Sequence, residues 1–134
     1  MAEITPVAAN VRETSTTQTQ RVQYGEAVDQ GEVVYLKSDS KYWLADNSTT
    51  TLAAAKGIAM TPNVADGYGS IAVAGDIELG ATLAVGTIYT VGSTAGTIHP
   101  EADLLTTEIL TVIGYGKTAA ILTLDINATG IAHA

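Results

Sequence analysis

Beyond Val22 no apolar run goes far without a break. VQYGEAV, VVYL, YWLA, GIAM, YGSIAVAG, DIEL, ATLAV, TIYTV, EILTVIGYG and AAILTLDI are short runs separated by residues such as Gly, Pro, Asn, Asp and Ser. Runs of this length, spaced near the ~8 to 12 residues typical of sandwiches and barrels, fit strands joined by turns. All thirteen glycines fall after Tyr24, most of them at the joints, where a chain turns tightly or bulges. In SIAVAG and LTLDI, small or polar residues alternate with larger apolar ones, the period of a strand with one buried face. The predicted fold is all-β, a small β-barrel or β-sandwich, with β-clip and β-tulip-like strand orders left open. At 134 residues the chain is one ordinary domain, able to bury roughly two thirds of the surface its unfolded form exposes. With no Phe and one Trp, the core falls to Val, Ile, Leu and Ala, helped by six tyrosines.

Two segments depart from this texture. NSTTTLAAAKG joins a Ser or Thr able to cap a helix, an Ala-rich stretch of high helix propensity, a Lys suited to the C-terminal end, and Gly57 to take the left-handed stop. It predicts one short helix near residues 50–56. Residues 1–21, MAEITPVAANVRETSTTQTQR, show neither helical nor strand period and read as an extended N-terminal arm, with a frayed terminus as the alternative, before a single β-rich domain at 22–134. Ile4, Pro6, Val7 and Val11 give the arm apolar anchors, and Arg12 and Arg21 give it charge, which makes these six the candidate binding residues. On this reading, removing the arm leaves the body folded.

Fourteen acidic against six basic residues give a net charge of −8, which argues against phosphate backbones and hence nucleic acid as partners. Without cysteine there is no disulfide, thiolate nucleophile or Cys-type metal site, in keeping with assembly in a reducing cytosol. MAEITPVAAN lacks the basic and apolar regions of a signal peptide, and no apolar run approaches the ~20 residues of a membrane helix. A soluble protein with no membrane partner is the expectation.

Catalysis needs groups that move protons, attack, or hold metal. Of the two histidines, His133 is next to last, where fraying is expected, and His99 precedes Pro100 and reads as a solvated turn residue. Asp76 and Glu78 lie two apart on a strand and are read as a solvated acidic face; Glu101 and Asp103 behind Pro100 suit a first helical turn. GYG occurs at Gly67–Gly69 and at Gly114–Gly116, but no phosphate-binding glycine motif is present, and Ser70 and Ser93 lie in no GxSxG. No catalytic residue, cofactor or metal is therefore assigned. Tyr35, Tyr42 and Trp43 cluster on the first hairpin and are read mainly as half-buried core aromatics, one of which can face outward to stack on a sugar.

The order VDQGEVVYL, YWLADN, AAAKGIAM, VAGDIELGATLAVGTIYTVGSTAGTIHPEADL, EILTVIGYG and LTLDI resembles the head decoration, or capsid cement, proteins of tailed bacteriophages. The densest likeness lies at Gly86, Tyr89, Ala95, Gly96, Ile98, Pro100, Asp103 and Leu104. Gly57, Gly86, Tyr89, Gly96, Pro100 and Asp103 are read as turn and framework positions. The resemblance implies a protein that is not an enzyme: a homotrimer on the outer capsid surface at local three-fold junctions, made in the host cytoplasm, with the major capsid protein as partner. Two other readings stand beside it. One is a tail, fibre or baseplate module that binds carbohydrate through the Tyr42 and Trp43 region, and the other is a hydrolase using Asp76 or Glu78.

Overall fold

The structure is a computed structural model that describes residue 4 and residues 6–133. Ten strands follow in chain order: β1 (Arg12–Glu13), β2 (Gln18–Gln23), β3 (Val33–Leu36), β4 (Tyr42–Leu44), β5 (Ala55–Ala59), β6 (Tyr68–Glu78), β7 (Ile88–Val91), β8 (Ile98–Pro100), β9 (Ile109–Gly116) and β10 (Ile121–Ala132). Two single 3-10 turns, Ala8–Asn10 and Glu101–Asp103, complete the regular structure. The fold is all-β, as the sequence predicts: one antiparallel sheet curled into a half-barrel, in the order β4-β3-β5-β6-β10-β9-β7-β8, with β1 and β2 also on β6.

The eleven-residue β6 organises the sheet. Its first half lies between β2 and β5, and its second half between β1 and β10. Between the halves sits Gly75 at φ 87°, where a Cβ would stand 2.1 Å from Thr16 O. Only glycine permits that backbone turn and that approach together. The bend turns two half-sheets toward each other over the main core. Val33, Tyr35, Ile58 and Ala72 enter that core from one side; Ile77, Tyr89, Ile98, Ile113 and Leu122 enter from the other.

The neighbours of those first residues point the opposite way. Val34, Ala59 and Ile71 join Val22, Tyr24, Val28 and Tyr42 in a second cluster on the far face of the first half-sheet. Successive strand residues face opposite sides, so runs such as VVY and GIA are continuously apolar because both faces are covered. The alternation in SIAVAG predicts one buried face; at Ile71 and Ala72 both faces are buried.

The helix predicted near residues 50–56 does not form. Its start signal is real: Thr49 Oγ1 accepts from Leu52 N–H at 3.1 Å, and Ala53 N–H donates to Thr49 O at 3.0 Å. One turn later Ala55 pairs with Tyr35 and Gly57 with Val34 in the ladder of β3 and β5. A helix of so few residues is marginal by itself, whereas the strand places Ala55 and Ile58 in the main core. Gly57 is accordingly no left-handed helix stop; a Cβ there would meet Ala72 O at 2.5 Å.

Candidate binding surface

The six candidate binding residues of the N-terminal segment do not extend away from the body. Ile4 N–H donates to Ile98 O at 2.6 Å, continuing the sheet beyond β8. Pro6 lies against Gly31, and Val7 N–H donates to Gly80 O at 2.8 Å. Val11 is buried in the main core, and Arg12 pairs with Glu78 across β1 and β6. Arg21 lies in β2 with its guanidinium 5.3 Å from the Tyr68 ring centre. The expected boundary between residues 21 and 22 thus falls inside β2. Removing residues 1–21 takes away Val11 of the main core, β1 and most of β2, contacts that a separately folded body at 22–134 would have to do without.

The polar tract ETSTTQ has a local explanation. The ladder along β6 lapses between Glu13–Ile77 and Gln18–Ala74, and threonines fill the gap. Thr14 Oγ1 and Thr17 Oγ1 donate to Asp76 O at 2.8 and 2.5 Å, and Asp76 N–H donates to Thr16 Oγ1 at 3.1 Å. Hydroxyls here replace missing backbone partners at the bend, which accounts for a run of Thr without apolar period. Of the six residues, Val7, Arg12 and Arg21 keep exposed side chains.

The candidate acidic pair is divided. Asp76 meets Lys117 Nζ at 2.9 Å and accepts from Thr123 Oγ1 at 2.8 Å; the Lys117 bond, then that of Thr123, holds its carboxyl below the usual range. A general acid would need the opposite shift. Glu78 lines a separate open depression of about 500 Å³ with Val7, Asn10, Gly80 and Ala120.

His99 is no solvated turn residue. It lies in β8, fully buried, with Nδ1 3.1 Å from both Pro100 O and Thr90 Oγ1. Nε2 lies 3.5 Å from Asn47 Nδ2 and 3.9 Å from Glu108 Oε1. Asn47 Nδ2 also donates to Val91 O, so the group ties the loop after β4 to β7 and β8. Nothing in HPEAD reveals this, because its partners lie up to 52 residues away. His133 is not frayed either: its N–H donates to Glu108 O at 2.7 Å, and its carbonyl accepts from Thr107 N–H.

Among the aromatics, Tyr35 packs in the main core and Tyr42 in the second cluster. Trp43 is half-buried; Lys37 Nζ lies 4.2 Å from its ring centre and Nε1 donates to Asp39. Its accessible face is occupied by a cation of its own hairpin. In the segment of densest resemblance, Gly86 and Gly96 take φ 80° and 83°, and Tyr89 is buried with its hydroxyl accepting from Ala84 N–H at 2.9 Å. Pro100 pairs with Tyr89, and Asp103 ends the 3-10 turn before buried Leu104. Compared with protein-family models, curated proteins and solved structures, the chain matches none.

Proposed function

We propose that this protein binds the outer surface of an expanded bacteriophage head as a decoration protein, acting by adhesion without chemistry. What supports the reading is the sequence resemblance together with the use its residues are put to. From Gly86 to Leu104 they build one frame: β7, the turn through Gly96, β8 and the 3-10 turn, with Tyr89, Val91 and Ile98 in the core. That use of the motif in strands, turns and core is the observation that carries the proposal, since a clamp works by holding its shape under load. The partners are the major capsid protein and further copies in a homotrimer.

Val7 and Arg12 are the parts of the N-terminal segment best placed to face a shell, being exposed while the backbone beside them is clasped to the body. A preordered segment loses less entropy on docking than a free arm. A protein that binds only the expanded shell stabilises it by about 2.7 kcal/mol per site at a hundredfold excess over Kd. Repeated over many sites, this opposes the pressure of packaged nucleic acid.

Co-sedimentation with undecorated expanded heads tests the proposal, with a glycan array run in parallel. Binding to heads with a silent array is the expected result. Heads that leave the protein in the supernatant remove the proposal, and a positive array with unbound heads replaces it with the carbohydrate reading.

A further inference from the structure

The chain closes two sheet edges with its own backbone. Ile4 N–H donates to Ile98 O along β8, and Gly25 N–H donates to Tyr42 O along β4. Two other edges have no strand partner among the described residues: that of β10, and that formed along β6 by β1 (Arg12–Glu13) and β2. β2 pairs through Gln18–Gln23 with β6 alone. β10 pairs with β6 as far as Leu124 and with β9 as far as Ala132, leaving its other edge open from Asp125 onward. Register shifts between Leu124 and Asn127 and between Ala128 and Ile131 set residues 125–132 against only residues 109–112 of β9, so the open edge is short and bulged. Exposure agrees: Asp125, Asn127, Ala128 and Ala132 are exposed, and Ile131 is 66 % exposed.

An unpaired edge with one charge, a bare isoleucine and no Lys or Pro is a template for another strand, and the two bulges limit the ladder it offers to a short one. The two open edges are chemically unlike. Arg21 is the only charge in β2, and Asp125 the only charge in β10. Pairing like with like puts two arginines or two aspartates on one short ladder and leaves the other edge bare. Pairing unlike edges joins opposite charges and covers both, against the repulsion of chains that each carry −8.

We propose that copies of this chain associate head to tail, the open edge of β10 (Asp125–Ala132) in one copy adding to β2 (Gln18–Gln23) of the next. Such a heterologous contact closes into a ring when the rotation between copies permits. The inference deepens the homotrimer of the proposed function and rests on that reading for the number of copies alone.

The chain has no cysteine, so single cysteines report cleanly. Chains carrying Thr19→Cys are mixed with chains carrying Ala128→Cys and treated with a short bismaleimide. Linked pairs are expected in the mixture and not in either variant alone. Links in Ala128→Cys alone, or none in the mixture, overturn the proposal. Charge exchange gives a second measurement at exposed positions: Asp125→Arg weakens association by about tenfold in equilibrium sedimentation, and adding Arg21→Asp restores it. Failure of the double variant to recover also overturns the proposal. A folded monomer that still co-sediments with heads removes this interface and leaves the decoration reading; cross-linked rings that ignore heads do the reverse.

Discussion

Val11 is 4 % exposed and packs in the main core, whereas Val7, four residues earlier, is 56 % exposed. Val11→Ala removes two buried methyl groups and is expected to cost about 2 kcal/mol in urea denaturation. Val7→Ala is expected to change stability by less than about 0.5 kcal/mol while reducing the fraction bound to expanded heads. Equal effects on stability would show that the two valines share one environment. Asp76 gives a prediction in pH. Its carboxyl is held down chiefly by Lys117 and next by Thr123. A depressed folded value means that the stabilisation is complete above the unfolded carboxylate value, about 3.9, and fades as pH falls through the folded value. Asp76→Asn should therefore be less stable than the parent at pH 7, with the difference shrinking below about pH 4; a constant difference down to pH 2 contradicts the assignment.

At the scale of elements, the strands are legible because their signals are local: period two, turn residues, and glycine at the joints. What the sequence conceals depends on distant partners. Thr49 does begin a helical turn, yet Ala55 and Ile58 gain more from β3 and the core than from another turn of helix. The polar run from Thr14 to Thr17 reads as a loose arm until the bend at Gly75 supplies groups for its hydroxyls. His99 likewise looks solvated until Thr90 and Asn47 are brought to it by pairing. Both features of the β6 bend can be tested. Gly75→Ala must take φ 87° with its Cβ against Thr16 O, and a loss of about 2 kcal/mol or more is expected. Deleting residues 1–17 removes Val11, β1 and the threonine bridge together, and the truncated chain is expected to lose cooperative thermal unfolding or to melt well below the parent. An unchanged midpoint would restore the free arm.

For the whole molecule, the reinforcement of a shell that is proposed above can act only through binding, so its effect must follow mass action. The body is built as one piece, since β6 belongs to both half-sheets and the main core joins them. The −8 charge opposes non-specific association of copies, so contacts that join them or dock them have to bring opposite charges together. Arg12 is the cation of the clasped segment, and Arg12→Glu is expected to weaken head binding severalfold with little change in fold. Raising the protein concentration over heated expanded heads should raise their disruption temperature in proportion to the logarithm of free protein above Kd, and for Arg12→Glu the line should move to higher concentration with its slope unchanged. A disruption temperature that ignores concentration would mean that bound copies contribute nothing to the shell, and adhesion would then need a purpose other than reinforcement.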